Sequence, residues 1–249
     1  MITSDLLQTI PPVGRARGFR LYCGGSRLID LWQYGGRAIL GHKPPNVVKN
    51  MKNAADRGLF APFPNSGLRR FVKALDRLFP GAAIKVYADW CAVPDCHELP
   101  LWRPFCGDSA AGAEKSGAFR PVLPFPLTPA VIVCEKSREN DFPPDGHVSP
   151  MILAAAERAV YDLLAHPERG IMGFGRITTA FEQEYTRKNW CLDGIYIRPA
   201  RHVEDWADTF RRFLDGGFLL PPDPADPLIV PGELSNGEEA ALADILCAG

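Results

Sequence analysis

The chain has 249 residues, a formal net charge of −1, and 23% charged against 46% apolar residues. That length supplies a core for one large or two small domains, and the composition excludes a disordered or collagen-like chain. The near-neutral balance gives no field for steering onto nucleic acid or an anionic membrane. No run approaches the roughly 18–20 apolar residues of a membrane span. The opening MITSDLLQTIPPVGRARGFR has no apolar stretch of signal-peptide type, and seven scattered cysteines suit free thiols in a reducing compartment. A soluble, cytoplasmic protein is expected.

In chain order, FRLYC and RLIDLW around Gly24-Gly25-Ser26 predict a β-hairpin. Asn46 to Asp56 predicts a helix with Val47, Val48, Met51, Ala54 and Ala55 on one face, ended by Gly58. Ser66 is the expected cap of a second helix in which Leu68, Phe71, Val72, Leu75 and Leu78 recur at helical spacing before Pro80-Gly81. Residues 82–146 yield two strands, IKVYAD and AVIVCEK, within a Pro-, Gly- and Cys-bearing tract of no clear period. Ser149-Pro150 opens an Ala- and Leu-rich helix, and GIYIRPA alternates as a strand. Val203 to Leu214 is an amphipathic helix with Trp206, Phe210, Phe213 and Leu214 inward. Ser235-x-x-Glu238 is a capping box opening the last helix.

Few residues carry a chemical signal by themselves. Cys91, Cys96, His97 and Cys106 are spaced too loosely for the paired knuckles of a zinc site, so no metal is expected. Arg69-Arg70 and Arg211-Arg212 lie opposite apolar stripes and read as solvated faces. The glycine pair in Gly173-Phe174-Gly175-Arg176 reads as a turn rather than a phosphate cradle.

The run from Arg20 to Gly58 resembles the N-terminal segment of class III aminotransferases, the group containing glutamate-1-semialdehyde aminomutase. Leu28-Ile29-Asp30-Leu31, Gly35-Gly36, Leu40-Gly41-His42 and Pro45-Asn46-Val47 stand where that family has a hairpin, a Gly-containing stretch and "L-G-H-x-H-P-x-V"; Lys43-Pro44 replaces part of the motif. The chain end resembles the family's small C-terminal domain. The resemblance implies an α/β fold: a shortened aminotransferase-like chain, of the fold type I group that uses pyridoxal phosphate (PLP), with a reduced central sheet and a C-terminal α+β part. It divides the chain into an N-terminal segment (1–81), a reduced central region (82–147) and a small-domain-like region (148–249).

In that family an internal Lys forms an imine with PLP, an Asp pairs with the pyridine nitrogen, and a Gly/Ser loop holds the phosphate. No such set is recognisable here. Lys136, at the end of AVIVCEK, is the weak candidate for the imine; a second register would place Glu168 at the Asp position and Lys188 at the imine, but too close together. The expectation is therefore a degenerate aminotransferase-like protein with no cofactor, acting as a binding or subunit-partner protein. The alternative is a small active PLP-dependent transaminase or aminomutase-like enzyme. By resemblance, a remaining small-molecule site would use His42, Asn65, Ser66 and Arg198. A homodimer is expected, with Trp32, Tyr34, Leu59, Phe60 and Phe63 available to its interface, and a full-length aminotransferase-like subunit is a further possible partner.

Overall fold

The computed structural model describes residues 4–107, 116–166 and 171–248. The chain divides into two compact units, one formed by residues 1–42 with 168–249 and the other by residues 43–167.

In the first unit, β1 (Val13–Arg17), β2 (Arg20–Cys23) and β3 (Ser26–Asp30) form an antiparallel meander, extended by β10 (Phe218–Leu219) lying parallel to β3. The expected hairpin forms, with Gly24-Gly25 alone as its turn, because Ser26 already pairs with Cys23. Gly24 and Gly25 have φ of 53° and 87°, a pair of left-handed conformations that the twist of a tight hairpin requires. A second sheet has the order β11 (Leu228–Ile229), β9 (Tyr196–Pro199), β8 (Trp190–Asp193). The unit also holds the short α1 (Ser4–Leu7), α5 (Gly175–Glu182), α6 (Glu184–Asn189), α7 (Trp206–Asp215) and α8 (Asn236–Ala248).

Trp206, Phe210 and Phe213 are buried on α7, as their spacing predicts. The capping box forms: the Ser235 N–H donates to Glu238 Oε2 at 2.7 Å, and the Glu238 N–H donates to Ser235 Oγ at 3.3 Å. The same carboxylate accepts from Arg20 Nε at 3.0 Å and Nη2 at 2.6 Å, and lies 3.1 Å from Arg27 Nη2. One side chain thus starts the last helix and ties it to the N-terminal hairpin. Gly173 and Gly175 sit in the turn into α5, where the Arg176 N–H donates to Glu239 Oε1 at 2.6 Å. The end of α5 where a phosphate cradle would form thus already has a carboxylate on it.

In the second unit, a four-stranded sheet has the order β4 (Ala83–Tyr87), β7 (Ala130–Cys134), β6 (Ala118–Pro121), β5 (Leu101–Trp102). Three helices accompany it: α2 (Pro45–Asp56), α3 (Gly67–Leu78) and α4 (Pro150–Leu164). β7 is buried throughout, and its period of two serves both faces. Val131 and Val133 join Phe71, Leu75, Leu153 and Ala156 of the helices in one core. Ala130, Ile132 and Cys134 join Tyr87 and Val93 in another. The strands β5 and β6 are additions to the two expected in this region.

Two cap expectations need correction. Ser66 stands next before α3, but its backbone is already helical (φ −74°, ψ −7°) and its side chain makes no cap. Asn65 does the work, Oδ1 accepting from the Gly67 N–H at 2.7 Å. Ser149 also precedes α4 without capping it, and its buried hydroxyl has no partner among the described residues. Pro150 opens α4 through its fixed φ, and the Met151 N–H donates to Leu59 O at 3.1 Å. Among the described residues no helix is long and apolar enough to cross a membrane.

Candidate functional site

The most constrained polar constellation lies where β3 ends. The chain leaves Asp30 into four consecutive positive φ angles: Gln33 at 48°, Tyr34 at 50°, Gly35 at 67° and Gly36 at 98°. Glycine adopts this region at no steric cost. Gln33 and Tyr34 do so at about 1–2 kcal/mol each, so something must hold them. The holder is Asp30, whose side chain is only 3% exposed: Oδ1 accepts from the N–H groups of Trp32 (2.9 Å) and Gln33 (2.8 Å). Gln33 adds a tether, Nε2 donating to Ile229 O at 3.1 Å.

Asp30 Oδ2 faces His42 Nε2 at 2.7 Å. An ionised carboxylate only accepts, so Nε2 carries the proton in this pair. His42 is positioned by its backbone as well. Its N–H donates to Gly18 O at 2.8 Å, and Gly41, at φ +90°, lies so close to Gly18 that a Cβ would meet that backbone at 3.2 Å. The turn presents Tyr34, half exposed and edge-to-face with Trp32 at 5.3 Å. Beneath it, Trp32 Nε1 and Gln33 Oε1 are buried without a partner among the described residues. Strain, an oriented Asp–His pair and unsatisfied buried polar atoms together mark this turn as a candidate for function.

Of the residues expected at a site, His42 is thus engaged with Asp30. Arg198 lies half-buried on β9, opposite Cys191 of β8. Ser66 is exposed at the start of α3, and Asn65 is used as that helix's cap. Lys136 belongs to the same unit but sits near the other end of α3, about 18 Å away along a twelve-residue helix. Glu168, of the second register, lies outside the described residues; Lys188 is exposed and paired with Glu184 at 2.8 Å. Cys91 is exposed, Cys96 and Cys106 are half-buried, and among the described residues no three His, Cys, Asp or Glu side chains are placed to hold a metal ion. Asp30 and Gln33 were not singled out by the sequence. An Asp two residues before a Trp-Gln-Tyr-Gly-Gly run is the signal that points to them.

Lys136 lines a cleft of about 470 Å³ in the second unit. Phe79, Phe119 and Val133 form its buried apolar floor, and Pro80-Gly81, Gly117 and Glu135 stand at its rim. Gly117 has φ +76°, and its carbonyl accepts from the Glu135 N–H at 2.9 Å. Cys134, at the edge of the floor, has its thiol pushed up by burial and stays protonated at neutral pH.

An uncharacterized protein of Treponema pallidum (strain Nichols) is 27% identical over 287 aligned residues, 92% of this chain and 91% of that one. An uncharacterized protein of Borreliella burgdorferi is 25% identical over 256, 96% and 91%. No known family profile matches the chain. Among solved structures, ornithine delta-aminotransferase of Plasmodium falciparum superposes with a TM-score of 0.68 at 12% identity, covering 99% of this chain and 97% of that one. Acetylornithine aminotransferase of Elizabethkingia anophelis gives 0.66 at 11%, covering 96% and 93%. The fold is aminotransferase-like. A further neighbour, a transaminase with PLP bound, gives 0.65 at 12%, covering 96% and 90%.

The Lys136 cleft does not suit PLP. An imine lysine must give up its charge, which burial promotes; Lys136 is exposed, and no lysine among the described residues is buried. A phosphate needs convergent donors. Here the rim is formed by the carbonyl end of α3, the negative end of its dipole, and by the Glu135 carboxylate.

Proposed function

We propose that this chain is a degenerate aminotransferase-like protein without a cofactor lysine, acting as a non-catalytic binding or subunit-partner protein. The mismatch between the Lys136 cleft and PLP is the observation that carries this reading. A catalytic lysine, a carboxylate for the pyridine nitrogen and a phosphate cradle must converge, and the described residues bring no such set together around Lys136. The seven cysteines are free, which fits a cytoplasmic, reducing setting.

The test is direct. Protein incubated with PLP and passed through gel filtration is expected to keep no absorbance in the visible range, and borohydride is expected to fix no pyridoxyl group on any lysine. A stoichiometric adduct on Lys136 reverses the reading in favour of a small active PLP-dependent transaminase or aminomutase-like enzyme. Lys136 lining a cleft at the end of β7 is the feature favouring that alternative.

The proposal includes a homodimer, with a full-length aminotransferase-like subunit as a further candidate partner. Phe60 and Phe63, 56% and 71% exposed in the proline-bearing segment between α2 and α3, and Tyr34, 51% exposed, are the apolar side chains that association would cover. Light scattering at micromolar concentration is expected to give twice the 27.4 kDa chain mass. Phe63→Asp is expected to shift it toward the monomer, and a wild-type monomer removes the dimer from the proposal.

A further inference from the structure

The Lys136 cleft, rejected for PLP, has a chemistry of its own. The neighbouring cations are already neutralised: Lys85 by Glu139 at 3.2 Å and Arg138 by Asp141 at 3.0 Å. Glu135 Oε2 accepts from Ser137 Oγ at 3.2 Å, a hydrogen bond that leaves the carboxylate its negative charge. Lys136 has no ionic or hydrogen-bonding partner among the described residues, so among them its ammonium is the cleft cation free to meet an anion.

Below it the surface is apolar and rigid. Phe79 is held edge-to-face by Trp102 at 4.8 Å and by Phe119 at 5.2 Å, and half-buried Leu78 and Ala82 complete the wall. A volume near 470 Å³ falls within the roughly 300–1,000 Å³ of small-molecule sites.

We propose that this cleft binds a small apolar monocarboxylate, its hydrocarbon body on Phe79, Phe119 and Ala82 and its carboxylate on Lys136. The proposal deepens, and rests on, the non-catalytic binding reading above. One negative charge is matched by one free cation. A second would meet Glu135 and the carbonyl end of α3, so phosphate esters and dicarboxylates are disfavoured. A cationic amphiphile would be repelled by Lys136.

The full-length protein is titrated with octanoate, octanol, octylamine and octanedioate, by calorimetry and by amide chemical shifts. Octanoate is expected to bind saturably, shifting Ala82, Gly117 and Glu135, and more tightly than the other three. Lys136→Glu, at an exposed position where folding is not at stake, is expected to weaken octanoate by at least about tenfold, to leave octanol unchanged and to admit octylamine. Ala82→Trp, checked for its thermal transition, is expected to block octanoate and octanol alike. Absence of saturable octanoate binding overturns the proposal. So does octanoate binding that Lys136→Glu does not weaken, or a wild-type preference for octylamine or octanedioate. The two readings fail separately: a borohydride-fixed adduct on Lys136 overturns the non-catalytic reading, whereas no adduct and no octanoate binding overturns this site alone.

Discussion

Replacing Glu238 by Ala is expected to lower the midpoint of thermal unfolding by roughly 5–10 °C, the equivalent of about 2–3 kcal/mol. The side chain is 7% exposed and satisfies the N–H of Ser235 while holding Arg20 through two hydrogen bonds. Its removal leaves a half-buried guanidinium with only the exposed Glu233, 3.6 Å away, beside it, and strips the Ser235 N–H of its acceptor at the start of α8. Arg27 is 54% exposed and adds little, because solvent screens that contact. The hydrogen-bonded Arg20 guanidinium holds the carboxyl down at about 2, against its ordinary value of 4.5. A depressed acid contributes stability above its unfolded pKa and loses it as pH falls through the folded one. Wild type and Glu238→Gln are therefore expected to differ most above pH 4.5 and to converge near pH 2. Melting curves across that window check the sign: a difference that persists unchanged to pH 2 assigns the stabilisation to packing rather than to charge.

The sequence signals that proved reliable were local ones. Gly24-Gly25, the helical spacing of Phe71 and Leu75, and the Ser235–Glu238 box each involve residues a few positions apart, where backbone geometry alone decides the outcome. The resemblance in Leu40-Gly41-His42 pointed to an aminotransferase-like fold, which the superpositions share. Failures came where distance along the chain matters. The two-residue strands β5, β10 and β11 are too short to show a period, and exist because β6, β3 and β9 supply their hydrogen bonds. Ser66 is a better cap on paper than Asn65, yet its backbone had already entered the helix, and the cap falls to the residue before it.

The candidate sites follow the same division. His42 was legible from its motif, but its partner Asp30 lies twelve positions earlier and meets it only after the left-handed turn reverses the chain. Lys136 was legible as the end of a strand. The cleft beside it was not, since its wall comes from the end of α3, more than fifty positions upstream.

Substituting Asp30 by Ala is expected to melt the Trp32–Gly36 turn while leaving the strands of its sheet paired. The carboxylate is the acceptor for two backbone N–H groups and for His42 Nε2, at 2.9, 2.8 and 2.7 Å, in a place that water scarcely reaches. Two stranded buried donors cost about 3 kcal/mol, and the turn cannot absorb that, because Gln33 and Tyr34 already sit at strained positive φ. Loss of the turn returns that strain, so the least costly response is local: the chain from Trp32 to Gly36 relaxes and exposes its amides. Hydrogen exchange of Trp32, Gln33 and Ala38 is the measurement, with protection expected to fall at least about a hundredfold in Asp30→Ala. Asp30→Asn keeps Oδ1 as acceptor and disturbs only the side facing His42, so its exchange is expected to stay within about tenfold of wild type. His42→Ala, which removes the other half of the pair but neither backbone hydrogen bond, is expected to behave like Asp30→Asn. If Asp30→Ala leaves those amides protected, Gln33 and its bond to Ile229 hold the turn instead. The Asp–His pair would then be an oriented couple resting on a turn that forms without it.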